Sequence, residues 1–246
     1  MDLKFNSLTP AILAELRAIA GDKYVIAGDP ELLDAYAKDE TPGDEAGRHL
    51  PDVVVRPRTA AEIAAIMKLA NRELIPVTPR GAGSGLSGGA VPVFGGIVLA
   101  TDRMNSILEF DAANLMLVAE PGVITSEINV FLEPHGLFYA GYPMSLETCF
   151  LGGNVAENAG GGKAVKYGVT SRYVLGLEVV TPTGEIIELG GKLCKDVTGY
   201  NLVPLMAGSE GTLGIFTKII LKLLPQPKAS IDLLCLFPDA ASAIAL

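Results

Sequence analysis

The chain has 246 residues, of which 49% are hydrophobic, 19% charged and 6% aromatic, with 28 glycines, 16 prolines and no tryptophan. Nineteen Lys and Arg against 28 Asp and Glu leave a formal charge of −9, and the densest basic feature is Arg56 with Arg58, so a nucleic-acid surface is not expected. A mean hydropathy of +0.38 raises the question of a membrane span, yet Gly, Pro or a charge breaks every stretch before the ~18 apolar residues such a helix needs.

The length suits one large domain or two small ones. The start, MDLKFNSLTP, lacks the basic segment and apolar run of a secretory signal. Cys149, Cys194 and Cys235 are too far apart for a CxxC site and odd in number, which points to a reducing cytoplasm. With only His49 and His135 present, no His-rich metal centre is expected.

Thr9 and Pro10 open the first element, with Ile12, Leu13, Leu16 and Ile19 at helical spacing and Gly21 as its stop. Asp39–His49 is polar and reads as a loop. Asp52–Arg56 is a short β-branched run between prolines. Thr59 and Glu62 form a capping box for a helix carrying Ile63, Ile66, Met67 and Ala70. With Leu74–Thr78 read as the next strand, this makes a βαβ unit. Gly96–Thr101, Ile107–Phe110 and Met116–Glu120 are strand-like. Thr125 is placed to cap a helix with Ile128, Phe131 and Leu132, ending at His135–Gly136. Val174–Thr181 and Glu185–Leu189 form a hairpin about Pro182-Thr183-Gly184. Thr212–Leu224 reads as a long strand. The order is mixed, and the class is α+β.

Three glycine clusters carry the chemistry. In Pro79–Gly89, Gly83, Gly85 and Gly88 satisfy GxGxxG, with Asp102 downstream at a distance suited to a ribose contact. That signature needs a helix to open at its third glycine, and Gly88, Gly89, Pro92, Gly95 and Gly96 exclude one. What remains is a long glycine loop whose backbone N–H groups can converge on an anion, with Ser84 and Ser87 as hydroxyl donors and Arg80 adding charge. A plain surface loop is the alternative. In Gly152–Gly162, Asn154 is placed to cap one helical turn through Ala159, offering a second ligand-facing N-terminus or a packed turn. Gly208–Gly214 is the third cluster, and by itself reads as a tight turn.

Taken together, PRGAGSGLSGGA at 79–90, GGNVAENAGG at 152–161, Lys166-Tyr167-Gly168, LGLEVVTPTGE at 175–185 and GSEGTLG at 208–214 closely resemble one family. It is the FAD-binding half of the vanillyl-alcohol-oxidase, PCMH-type flavoproteins, in the glycolate oxidase D-subunit and D-lactate dehydrogenase branch. The resemblance covers about residues 40–230. It implies two α+β subdomains with FAD between them. Arg80, Gly81, Ala82, Gly83, Ser84, Gly85, Leu86 and Ser87 would then cradle the pyrophosphate. Pro121 and Gly122 would line the cofactor. Pro143, Ser145, Thr148, Gly152, Gly153, Asn158 and Gly161 would border the ribityl chain and flavin. Val179 would meet the adenine side by its backbone, and Glu210 and Gly211 would lie close by.

Some relatives tether FAD through a His in the first glycine loop; this loop has Ala, Ser and Leu, so non-covalent FAD is expected. His49 and His135 read as structural residues, Cys149 as a packed thiol and Lys195 as a solvated loop residue. Tyr142 and Glu147 depart from the branch pattern. The division expected is residues 1–49 as an N-terminal helical segment, 50–110 and 111–228 as the two FAD-binding subdomains, and 229–246 as the start of a cap domain that is otherwise absent. Asp239 reads as the cap of a helix with no stop signal before Leu246, so the chain reads as part of a longer protein or of a split one.

The resemblance implies oxidation of a 2-hydroxy acid such as glycolate or D-lactate to the 2-oxo acid, with electrons passing to a non-NAD acceptor. No residue here reads as its general base. Expected partners are FAD, the 2-hydroxy acid and other oxidase subunits, including an iron–sulfur protein, in the cytoplasm or peripheral to the inner face of the membrane. A non-catalytic flavin-binding or assembly subunit is the alternative. A cell-wall precursor reductase of the same superfamily fits less well, because of GGNVAENAGG.

Overall fold

The computed structural model describes residues 4–42 and 48–245; residues 43–47 of the polar loop and Leu246 lie outside the described residues. Its first sheet has the order β1 (Val25–Ala27), β2 (Val53–Val55), β4 (Ile97–Ala100), β3 (Val77–Arg80). β2 and β3 both run parallel to β4, and β1 is antiparallel to β2. Val53–Val55 and Ile97–Leu99 are wholly buried, and their unbroken apolar runs suit strands covered on both faces.

The crossover from β2 to β3 is α3 (Ala60–Glu73). Thr59 accepts from the Glu62 N–H at 3.1 Å. Glu62, in return, accepts from the Arg58 N–H at 2.7 Å, one residue further back than a capping box requires. The helix ends on Leu74 in the left-handed region, φ 55, so Leu74 is a cap and the strand begins only at Val77. No glycine announces that stop. β4 then inserts between β2 and β3, and the βαβ unit straddles a third strand.

α1 (Pro10–Ala20) is capped by Thr9 and ends at Gly21, φ 89. It buries Ile12, Leu16 and Ala20 with Ile63, Ile66 and Leu69 of α3. After β1 comes α2 (Pro30–Asp34), capped by Asp29. Because Val25–Ala27 pairs with Val53–Val55, the segment before residue 50 is not a separate helical piece. It supplies an edge strand of the first sheet.

The second sheet is antiparallel, in the order β5 (Ile107–Asp111), β6 (Met116–Ala119), β10 (Ile215–Lys222), β8 (Val174–Val180), β9 (Ile186–Gly190). β5 belongs here, so the change of sheet falls between β4 and Ile107 and not at residue 110. Its core includes Ile128 and Leu132 of α4 (Thr125–Leu132). Thr125 does not cap this helix: it is the first helical residue, wholly buried, and its Oγ1 accepts from Asn154 Nδ2 at 2.5 Å. β7 (Leu137–Phe138) pairs with β11 (Leu224–Pro225), a ladder too short to have a periodicity. α5 (Leu151–Ala156), α6 (Ala164–Tyr167) and α7 (Leu202–Met206) lie in the connections. α8 (Ala240–Ile244) is capped by Asp239, which accepts from the Ser242 N–H at 2.8 Å.

Two contacts lock the sheets together. The turn between β8 and β9 sits on α3: Asn71 Nδ2 donates to the Pro182 carbonyl at 2.5 Å, and Gly184, φ 81, lies so close that a Cβ would be 2.7 Å from the Ala64 carbonyl. On the other side, the buried Glu120 carboxylate accepts from Arg58 Nη1 at 2.8 Å and from the Ser106 N–H at 2.9 Å.

Candidate cofactor site

Beyond the carboxyl ends of the parallel strands β3 and β4 lies a cavity of about 510 Å³, walled on its far side by segments of the second sheet and its connections. Such a position, outside the ends of parallel strands, is the usual ligand site of α/β sheets. Residues 81–96 form no helix, as the glycines and Pro92 require, and Gly81–Leu86 line the cavity directly. Opposite them, Gly152 and Gly153 present backbone without side chains; a Cβ on Gly81 would lie 3.6 Å from the Gly153 nitrogen. Pro121, Pro143, Ser145, Glu210 and Gly211 complete the expected residues found on the wall.

Arg80 reaches the cavity but does not bring a free charge to it. Its guanidinium is buried, donating to the carbonyls of Lys38 (2.8 Å), Ala90 (3.2 Å) and Ala35 (3.3 Å), and burial lowers its pKa. The residue ties the glycine loop to the N-terminal segment. Asn154 likewise departs from its expected role. The helix begins at Leu151, which places Asn154 inside it, and its buried side chain donates to Thr125.

Six expected residues stand back from the wall, and each has a visible structural task. Ser87 donates to the Glu157 carboxylate. Gly122 donates to the Met104 carbonyl at 2.7 Å, and a Cβ there would overlap that carbonyl and the one on Thr101. Thr148 donates to the Ser145 carbonyl within its turn. Asn158, φ 49, accepts from the Ser171 N–H at 2.9 Å. Gly161 lets the chain pass the Tyr142 carbonyl, 2.6 Å from where its Cβ would be. Val179 is buried on β8 opposite Phe216.

Sequence reasoning missed Asp39, Thr101, Glu157 and Phe216 as wall residues. Glu157 sits inside the GGNVAENAGG motif, a signal that was present; Asp39 arrives from a polar loop with none. Cys149 lines the cavity as a buried thiol near Thr125 Oγ1, at 3.4 Å. His135 packs tilted against Phe110 and Phe131, with ring centroids 4.6 and 5.8 Å away. His49, Tyr142, Glu147 and Lys195 do not line the cavity. No histidine stands on the wall, and among the described residues no cluster could hold a metal ion. The arrangement suits binding a large ligand by backbone more than proton transfer.

A cavity walled by glycine backbone, between a mixed sheet and an antiparallel one, suits the class of proteins that hold an extended dinucleotide. Residues 51–190 match the model of the FAD binding domain, and the chain belongs to that family; its cofactor is FAD. It is 46% identical over 208 residues to the glycolate oxidase subunit GlcD of Bacillus subtilis (strain 168), across 85% of this chain and 44% of that protein. To D-lactate dehydrogenase of Anaerostipes hadrus it is 41% identical over 244 residues, 99% of this chain and 50% of that one. The chain therefore spans about half the length of these relatives. Among solved structures it resembles alkyldihydroxyacetonephosphate synthase, with a TM-score of 0.79 and 26% identity over 92% of this chain and 46% of that one. Its fold is also that of p-cresol methylhydroxylase, with a TM-score of 0.75 and 24% identity over 89% and 44% of the two chains.

The residues present fit FAD. The walls are glycine backbone where a diphosphate must come close, and an isoalloxazine ring has the apolar surfaces of Pro121, Pro143, Ile215 and Phe216 at hand. No helix among the described residues is long and apolar enough to cross a membrane.

Proposed function

We propose that this chain is the FAD-binding part of an enzyme that oxidises a 2-hydroxy acid, glycolate or D-lactate, to the 2-oxo acid. The observation that carries this is 46% identity to a protein named glycolate oxidase subunit GlcD, joined to a cavity with glycine backbone on two facing walls. Bound FAD supplies the hydride-accepting centre; the residues of this chain bind and orient it. Gly81–Leu86 hold the pyrophosphate by backbone N–H groups. Pro143, Ser145, Gly152 and Gly153 border the ribityl chain and flavin, with Glu210 and Gly211 closing the far wall. The cofactor is held non-covalently, since residues 81–90 include no His or Cys.

The wall residues include no histidine to take the substrate's hydroxyl proton, and we assign that proton transfer to residues other than these. Electrons leave to a non-NAD acceptor, through other oxidase subunits, a reading supported by the word subunit in the relative's name. A cytoplasmic setting fits three unpaired cysteines.

The test is to purify the chain, record its flavin spectrum, and assay glycolate and D-lactate with a dye acceptor. The expected result is stoichiometric, acid-releasable FAD with little turnover. A folded protein that neither retains nor rebinds FAD overturns the binding role, and rapid turnover overturns the assignment of proton transfer to other residues.

A further inference from the structure

Three carboxylates reach the glycine loop from three separate stretches of chain. Asp39 Oδ2 accepts from the Gly88 N–H at 2.8 Å. Both oxygens of Glu157, at the end of α5, accept from Ser87 Oγ at 3.0 and 3.1 Å. A Cβ on Gly89 would stand 3.2 Å from Glu157 Oε1 and 3.5 Å from Glu210 Oε2, so these two carboxylates meet over one glycine. Glu157 Oε1 also lies 3.8 Å from the Cβ position of Gly85, in the stretch that faces the cavity.

Asp39 lies within reach of the Arg80 charge. Among the described residues neither Glu157 nor Glu210 enters an ion pair. Arg80, the cation on the wall, is committed to three carbonyls. The charge on Glu157 is held by one hydroxyl and by water, while partial burial, Glu210 and Asp39 all raise its pKa. A dinucleotide seated on this loop brings a doubly charged diphosphate beside it and displaces part of that water. Both effects disfavour the carboxylate.

We infer that Glu157 takes up one proton from solvent when FAD binds, so that its carboxyl group and the pyrophosphate share the glycine loop without opposed charge. This rests on the reading of the cavity as the FAD site. The proton goes to a Glu157 carboxylate oxygen, and no other bond changes. One oxygen still accepts from Ser87, while the protonated one is free to donate to a phosphate oxygen.

The sign follows from linkage. The FAD-bound form holds the proton more tightly than the free form. Affinity is therefore constant below the free-state pKa, falls up to about tenfold per pH unit between the two pKa values, and levels off above the bound-state value.

The experiment is fluorescence titration of the whole chain with FAD from about pH 5 to 9, a range above ordinary carboxylates and below tyrosine, for the wild type, Glu157→Gln and Glu210→Gln. Calorimetry of the wild type in phosphate and in Tris counts the protons taken up. The expected result is a falling affinity and an uptake approaching one proton in the wild type, a flat profile for Glu157→Gln, and a retained slope for Glu210→Gln. A flat wild-type profile, no proton uptake, or the same slope in Glu157→Gln overturns the inference and leaves FAD binding standing. Loss of the slope in Glu210→Gln with its retention in Glu157→Gln also overturns it. Absence of FAD binding at every pH overturns the site and the inference together. If Glu157→Gln fails to fold, judged by circular dichroism, the wild-type proton count and the slope of Glu210→Gln decide together, and either no uptake or a lost slope in Glu210→Gln overturns the inference.

Discussion

The guanidinium of Arg80 fills the space that a side chain on Gly83 would need. A Cβ at Gly83 would overlap the Nη2 and Cζ atoms, and the backbone there has φ 74. Glycine at 83 and arginine at 80 are thus one device, in which the loop folds over a buried cation that is anchored to Ala35, Lys38 and Ala90. Gly83→Ala meets both the left-handed backbone, about 1–2 kcal/mol, and the guanidinium. FAD affinity is expected to fall about tenfold or more, the equivalent of ~1.4 kcal/mol, in a fluorescence titration. Arg80→Met leaves three carbonyls without a donor and is expected to lower stability by about 2 kcal/mol, read from the urea midpoint.

Gly122 and Gly153 both belong to the expected cofactor set, and the structure separates them. A Cβ on Gly122 would lie 2.8 Å from the Met104 carbonyl and closer still to that of Thr101. Gly122→Ala is expected to cost about 1–3 kcal/mol of folding stability through overpacking. Gly153 has nothing within 4 Å of its Cβ position and sits within α5 on the cavity wall. Gly153→Ala is expected to hold or raise stability, by up to about 1 kcal/mol, while FAD affinity falls. Paired chemical denaturation and flavin titration distinguish the two. Equal loss of stability in both variants contradicts this division.

Glu120 ties the sheets through Arg58 and the Ser106 N–H. Glu120→Gln removes the charge and turns an amide donor toward groups that are themselves donors. The expected loss is about 2 kcal/mol, within the range for hydrogen bonds to charged groups. Amide hydrogen exchange should quicken at Ser106, whose N–H loses its carboxylate acceptor, before it does in β4. An unchanged exchange pattern would show that the Glu120 contacts do not hold the sheets together.

The turn between β5 and β6 has a pH dependence with a definite sign. Asp111 accepts from the Asn114 side chain at 2.8 Å and from its N–H at 3.0 Å, which lowers its pKa below the ordinary 3.8. A lowered carboxylate pKa contributes stability that is present above the unfolded value and lost as pH falls through the folded one. The Asn114 amide signals are therefore expected to titrate with a midpoint below 3.8 in an NMR pH series. A midpoint at or above the ordinary value would contradict the contact.

Much of this was legible along the chain because it depends on near neighbours. Thr9 and Asp239 cap helices by bonds spanning three residues, the β8–β9 hairpin closes on its own turn, and glycine density alone forbids a helix after Gly83. The order of the motifs was enough to identify FAD as the ligand. Contacts between distant residues were not legible. Nothing near β1 tells that Val25 pairs with Val55, nor that β4 inserts between β2 and β3. Arg80 looked like a phosphate ligand because a cation beside glycines usually is one. Its real partners lie 10 to 45 residues away, and only packing decides whether a guanidinium faces ligand or carbonyls. Likewise the sequence marked Glu210, placed Glu157 inside a motif without giving it a role, and left Asp39 unmarked in a polar loop. Their convergence on one loop depends on where three separate backbones come to rest, which no local spacing encodes.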